Sequence, residues 1–465
     1  MNMRVKEWSH WAAGYGLPRA TLKLLAHRGD PLSRLLIDTR QADNIYPLIE
    51  QVRHQYGRIS LVEKVVWVTA DAQIVREVLR DDRFRTVKPR DRSPFRLVQW
   101  IVAKTDPDLL NPIEPPSMLV SDPPDHTRLR RLVSRAFTPR ALDGVRARIH
   151  EVADGLLRDL EGRTECDLIA DYTSRIPIEV IAEMLGIPRD EIRYLDAIGD
   201  AATKLTTTVA APWRDFRDAT TALREFDQYL GMHIERLRQD DAADSILSGV
   251  IHHSDLSDVE IRMFAALLLG AGFITTTHVF GNAVVALVRH RDQLVVLQEH
   301  PEGWPNAVEE ILRYDTAIQL LARVATETVD IEGQTIRAGH VAYLLVGGAN
   351  RDPAVFDRPD VFDTTRVNAR EHISFGTGIH VCLGAALARM ELHIGLQSLF
   401  ERFPRLTLAG EPTLNDSIGL HGLKHLPVSL GRLACVPTQE AGPAPEIVTG
   451  LSQVPGFTQP LRETP

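Results

Sequence analysis

Residues 374–384 read SFGTGIHVCLG, and Cys382 is one of only three cysteines in 465 residues. A cysteine at the start of a helix sits at the positive end of the helix dipole among unpaired backbone N–H groups, and both favour the thiolate. A thiolate is a metal ligand. Gly376 and Gly378 permit a tight turn at positive φ that aims amides at the sulfur, while Gly384 and Ala385 leave room for a flat, bulky group against the following helix. Two other readings stay open on these residues alone. Cys382 can be a buried structural cysteine, or it can join His380 in a zinc site, although no CxxC or HxxxH pair stands nearby to complete a tetrahedron.

Other groups have chemistry in their spacing. Glu310 and Arg313, in WPNAVEEILRYD, lie three apart on a helix and can pair. On a surface that pair contributes a few tenths of a kcal/mol. The flanking Ala307, Val308, Ile311 and Leu312 indicate a half-buried helix instead, where the pair needs further partners and can pin a neighbouring loop. In DPPDHTRLRRLVSRAF, residues 122–137, two prolines suit a helix start. His126 and Arg130 then share one face, able to point at a carboxylate or to form part of a solvated basic surface. The stretch 263–288 has no formal charge and is long enough to cross a bilayer. It also carries Thr275, Thr276, Thr277, His278 and Asn282, and a capping box, Ser257-x-x-Glu260, starts it. It reads as a buried central helix and not as a membrane span.

The elements that must position these groups are mainly helical. The run ISLVEKVVWVT, 59–69, is β-branched and broken by Glu63 and Lys64, which predicts a hairpin, and a helix with the stripe Ile74, Val75, Val78 and Leu79 follows. Amphipathic helical patterns fill 137–264, short strands and turns follow Leu320, and one last helix follows Cys382. No linker interrupts residues 1–435, which read as a single domain, whereas the Pro- and Gly-rich 436–465 read as a disordered tail. A net charge of −9 and a pI near 6 give no reason to expect nucleic-acid binding. Three dispersed cysteines argue against a disulfide framework, and the early charges in MNMRVKEWSHWAAGYG against a signal peptide. The expected location is cytoplasmic.

Phe375-Gly376-x-Gly378-x-His380-x-Cys382-x-Gly384 resembles the cysteine-ligand loop of the cytochrome P450 superfamily at six positions in ten, and further family motifs follow in order. The resemblance covers roughly residues 40–430. It implies a mainly α fold with small β-sheets, and heme b held between a long distal helix and the proximal cysteine-loop helix, its iron ligated by Cys382. It also implies that Phe375, Gly376 and Gly384 border the heme, that His126, Arg130, Arg323 and His380 bind its propionates, and that Arg366 joins Glu310 and Arg313 in a structural triad beside the meander 350–362. In the family the centre of the distal helix reads Ala-Gly-x-acid-Thr, and here it reads Ala271-Gly272-Phe273-Ile274-Thr275. Ala271 and Gly272 would leave room over the iron. Thr275, with Thr276 beside it, would relay protons, but Ile274 replaces the acid. Ala317 likewise stands where the family often has proline.

The activity implied is that of a monooxygenase, inserting one atom of O2 into a lipophilic small molecule with electrons from NAD(P)H through a separate ferredoxin and its reductase. Arg128, Arg131 and Arg135 offer a basic patch for an acidic ferredoxin, or an ordinary charged helix surface. The pocket would draw on the segments 88–118 and 205–212 and on Phe264, Leu268, Ile318, Leu320, Ile418 and Leu420. A heme-binding sensor and a peroxide-driven oxygenase are the alternatives. Peroxide-driven members of the family usually carry an arginine in the distal helix, and none lies between Met263 and Val288.

Overall fold

The hairpin expected at residues 59–69 forms, with strands Ser60–Val62 and Val66–Thr69 antiparallel and Val62 opposite Val66. Its turn residues Glu63 and Lys64 take positive φ, 48° and 57°, the geometry that matches the right-handed twist of the flanking strands. The computed structural model describes residues 3–37, 44–88, 93, 95–134, 137–203, 205, 210–240, 245–415 and 419–431. Strand Val66–Thr69 runs parallel to Val341–Leu345, which pairs antiparallel with Leu320–Ala325. That strand pairs antiparallel with Phe84–Thr86, completing a five-stranded sheet. The helix Ala72–Arg80 buries Ile74, Val75 and Val78 in the sheet's own apolar cluster, and the Asp71 carboxylate starts it by accepting from Gln73 N and Ile74 N.

Helices Pro139–Leu160, Arg175–Met184, Trp213–Arg238, Asp258–Arg289, Trp304–Tyr314 and Ala385–Arg402 contribute to one large apolar core. The distal helix, Asp258–Arg289, runs 32 residues through it and starts at the capping box Ser257–Glu260, with both reciprocal bonds made. By length and composition this helix qualifies as a membrane span, yet 72% of its most apolar window is buried inside the protein. Its apolar surface is therefore matched by other helices. One crossing depends on a glycine: a Cβ at Gly395 of Ala385–Arg402 would lie 2.3 Å from the Phe280 ring. The expected tail, 436–465, lies outside the described residues, as does Cys435.

Candidate functional site

Both glycines expected to bend the cysteine loop take positive φ, 67° at Gly376 and 75° at Gly378. Gly378 has a second reason to lack a side chain, because a Cβ there would sit 2.5 Å from the Leu79 carbonyl oxygen. The loop closes on itself where Cys382 N donates to Phe375 O at 2.9 Å, and Gly384 then leads into Ala385–Arg402. Cys382 is exposed, yet the protein around it raises its thiol pKa by burial, against the Gly384 N–H and the charges of Arg130 and Arg389. Among the described residues no three His, Cys, Asp or Glu side chains gather to hold a metal by themselves, so the zinc reading has no ligand set.

The distal helix is buried along most of its length, but Ala271 is exposed near its middle and Thr275 is partly so. Phe264, Leu268, Ala271 and Thr275 follow one another at steps of four, three and four, and so form one stripe. Thr275 Oγ1 donates back to Ala271 O at 3.0 Å. Gly272 and Thr276 depart from expectation. A Cβ on Gly272 would meet Ile181 at 3.1 Å, so this glycine serves the contact with helix Arg175–Met184. Thr276 is buried, and its hydroxyl donates to Gly272 O at 3.3 Å on a different face from Thr275. Ile274, where an acid was missed, is buried as well.

Beside the loop two histidines and two arginines gather. His126, on helix Asp125–Ser134, and His380 tilt against each other at 54° with ring centroids 4.3 Å apart, and the Nε2 of each is buried with no hydrogen-bond partner among the described residues. Arg323, on strand Leu320–Ala325, is 7% exposed and donates only to the Ala322 carbonyl among the described residues. Burial drops its pKa to about 10, with Asp122 opposing. Burial, and then the charges of Arg323, His126 and Arg130, push His380 down to about 3. Arg130 spends one donor on Val381 O at 2.7 Å. Buried donors are normally satisfied, and these push on one another for want of an anion. They fit a bound group that carries carboxylates.

The sequence profile of the family described as cytochrome P450 matches residues 30–300 and 305–425. The chain belongs to the cytochrome P450 family. It is 38% identical over 435 residues to the putative cytochrome P450 140 of Mycobacterium tuberculosis, covering 92% of this chain and 98% of that protein. It is 36% identical over 388 residues to the vitamin D(3) 25-hydroxylase of Pseudonocardia autotrophica, covering 80% of this chain and 90% of that one. Among solved structures it is similar to P450BioI in complex with an acyl carrier protein ligated to hexadec-9Z-enoic acid, with a TM-score of 0.77 and 32% identity over 83% of this chain and 99% of that one. The family's members are heme-thiolate monooxygenases, and the fold here is theirs.

Behind the cysteine loop of this P450, Glu310 is completely buried between two guanidinium groups. Arg313 Nε and Nη2 donate to it at 2.7 and 2.8 Å, and Arg366 Nε reaches both its oxygens at 3.1 and 3.2 Å. The remaining arginine donors go to backbone carbonyls of the meander: Asn350, Pro359 and Val361 for Arg313, and Asp357, Arg358 and Val361 for Arg366. The triad thus holds residues 350–366 against helix Trp304–Tyr314. Asn350 extends the link to the loop by accepting from Ile373 N and donating to Ser374 Oγ, both at 2.8 Å.

Sequence reasoning missed Glu309. It accepts from His372 Nε2 at 3.0 Å and from Arg389 Nε at 2.8 Å, and Arg389 also lies over the Phe375 ring, 4.5 Å from its centroid. Burial raises the Glu309 pKa, but these bonds outweigh it and bring it to about 2. Burial keeps His372 below the ordinary histidine range, so it donates as a neutral ring while Arg389 supplies the charge.

The expected basic patch is only partly there. Arg128 pairs with Glu260 in the distal helix's capping box, and Arg135 lies outside the described residues. The arginines that touch the loop are Arg80, donating to Thr377 Oγ1 at 3.0 Å, with Arg130 and Arg389. Of the expected pocket residues, Ile318 and Leu420 meet in a β-bridge, Leu320 enters its strand, and Phe264 and Leu268 lie on the distal stripe. Ile418 lies outside the described residues, as do 89–92, 94 and 206–209 of the pocket segments.

Proposed function

We propose that this P450 is a cytoplasmic enzyme that oxygenates a lipophilic small molecule, drawing electrons from NAD(P)H through a separate ferredoxin and ferredoxin reductase. The buried polar cluster carries the reading: the Arg323 guanidinium and the Nε2 atoms of His126 and His380 have no paired anion among the described residues, and the propionates of heme b are anions that suit them. Cys382, two residues past His380, would ligate the iron, with Phe375, Gly376 and Gly384 bordering the group. When bound, a thiolate-ligated heme activates O2 for insertion into unactivated C–H bonds.

The chain's own residues supply the rest. Thr275 holds an exchangeable proton on the open stripe of the distal helix and delivers it once its bond to Ala271 O is given up. Phe264 and Leu268 on the same stripe, and the bridged Ile318 and Leu420, would exclude water and favour an apolar substrate. The names of two relatives, a polyketide-biosynthesis P450 and a fatty-acyl-bound one, support that class. Arg80 and Arg130 would present positive charge to an acidic ferredoxin.

Carbon-monoxide spectra test the assignment. The reduced parent protein should show the strongly red-shifted Soret band of thiolate ligation, and Cys382→Ala should lose it. Arg323→Leu should keep the band but load less heme, and in heme-free protein it should raise the melting temperature by removing an unpaired buried charge. An unchanged band in Cys382→Ala, or zinc in place of heme, overturns the proposal.

A further inference from the structure

Residues 1–29 precede the segment matched by the family profile and carry a net charge opposite to that of the rest of the chain taken together. They hold Arg4, Lys6, Arg19, Lys23 and Arg28 against one carboxylate, Glu7, a net of 5 − 1 = +4 in a chain of −9. Glu7 is moreover buried and paired with Arg224. The segment folds as two helices, Met3–Trp11 and Leu17–His27, joined by a π-helical turn, Ala12–Gly16.

Its inner side is firmly bonded. Trp11 Nε1 donates to Ala211 O at 2.9 Å, Arg19 to Ala210 O at 2.7 Å, and a buried contact of 3.2 Å joins His10 Nδ1 to Val102 O on helix Arg96–Lys104. Trp11 meets Trp213 edge-on at 5.6 Å, and Tyr15 tilts against Phe216 at 5.5 Å. Parts of two segments expected to border the substrate pocket, 96–104 and 210–212, are thereby tied to the same N-terminal helices.

The outer side has the opposite character. Trp8 is 54% exposed, Leu17 and Leu24 are equally open, and on the adjoining helix Arg96–Lys104 Leu97 is exposed and Trp100 is 60% exposed. Single exposed apolar residues are ordinary. Here they are grouped on contacting elements, include two tryptophans, and are interleaved with Arg4, Lys6, Lys23, Arg96 and Lys104. Basic and aromatic residues combined on helices that do not span a bilayer suit the boundary between lipid headgroups and acyl chains.

We propose that the outer face of helices Met3–Trp11, Leu17–His27 and Arg96–Lys104 docks on an anionic lipid surface. The indole rings and leucines would enter the acyl boundary, and the lysines and arginines would meet the phosphates. The protein lies on the membrane and does not span it. The face adjoins segments that border the pocket, so a lipophilic substrate can pass from the bilayer without crossing water; that consequence alone rests on the proposed function.

Vesicle co-sedimentation tests the docking with the heme-loaded protein. Vesicles containing about a third phosphatidylglycerol should bind the parent, pure phosphatidylcholine should bind it at least tenfold less, and molar salt should release it. Lys6→Glu combined with Lys23→Glu, and separately Trp8→Ser combined with Trp100→Ser, should each weaken binding about tenfold. The carbon-monoxide band and melting temperature of these variants should match the parent's, which separates failure of docking from failure of the heme assignment. Absent binding, or equal binding to neutral and anionic vesicles, overturns the proposal. So does a dimer abolished by the tryptophan changes, or tight binding of an acidic carrier protein to this face, when either occurs without vesicle binding.

Discussion

Replacing Glu310 with glutamine keeps the side chain's size and one acceptor oxygen but removes its charge. Two guanidinium groups, Arg313 at 0% and Arg366 at 8% exposure, then remain buried without a counterion. Breaking a buried pair from one side costs about 3–5 kcal/mol. The upper half of that range applies, since one carboxylate here serves two cations. With an unfolding entropy of about 2.1 cal/mol/K per residue, a chain of 465 residues converts about 4 kcal/mol into a fall of roughly 4 °C in melting temperature. Heme loading should fall with it, because Asp363 N also donates to Glu310 and the arginines hold the meander that leads to the loop. Calorimetry and the heme-to-protein absorbance ratio measure both effects. Adding Arg366→Leu to Glu310→Gln should recover part of the loss, since it removes one uncompensated cation. A single variant that melts within about 1 °C of the parent with full heme loading would refute the reasoning, as would a double variant worse than the sum of the singles.

Glu309 makes stability depend on acid. Its carboxyl, held near 2 in the fold against about 4.3 in an unfolded chain, stabilises fully above the unfolded value and loses that contribution as pH falls toward 2. The stability gap between the parent and Glu309→Gln should therefore shrink by about 3 kcal/mol between pH 6 and pH 2, and a gap that stays constant in urea titrations would contradict the pairing. At the distal helix, Ile274 cannot donate a proton, so test substrates without a polar group should divert much of the NADPH to hydrogen peroxide, and Ile274→Glu should raise product formed per NADPH. Tight coupling in the parent, or a drop in the variant from burying a bare carboxylate, would show that protons arrive by another route. Cutting the chain after Val436 should leave melting temperature and heme content unchanged, and a fall in either would show that the tail contributes to the folded domain.

Short-range signals were legible in the sequence because their partners lie within a few residues: the capping box at Ser257, the turn at Glu63 and Lys64, and the positive φ of Gly376 and Gly378. Glu310 and Arg313 were legible as a pair, and Arg366 only through the family resemblance, being 56 positions away. Glu309 gave no signal. A second acid beside the first reads as a solvated position, and its partners His372 and Arg389 are 63 and 80 residues distant. Gly272 misled for a related reason, since composition says that a glycine makes room but not for what, and Ile181 takes the space. Arg128 was assigned to a free surface because its partner, Glu260, is 132 residues away.

Two adjacent carboxylates on the single helix Trp304–Tyr314 reach different clients: Glu309 the residues His372 and Arg389, and Glu310 the residues Asp363 and Arg366. Glu309 cannot be buried before its client arrives without stranding a charge in the core, and the Glu310–Arg313 pair, though made within the helix, would bury arginine donors that only the meander carbonyls satisfy. The helix, the meander and the cysteine loop must therefore order together, as one cooperative unit with no half-assembled state of low energy. Backbone amides of 304–314, 350–366 and 372–375 would then exchange with deuterium as one class, opening together or not at all. The cysteine loop would then be ordered by the same contacts that order the helix and the meander, and would open only when they do.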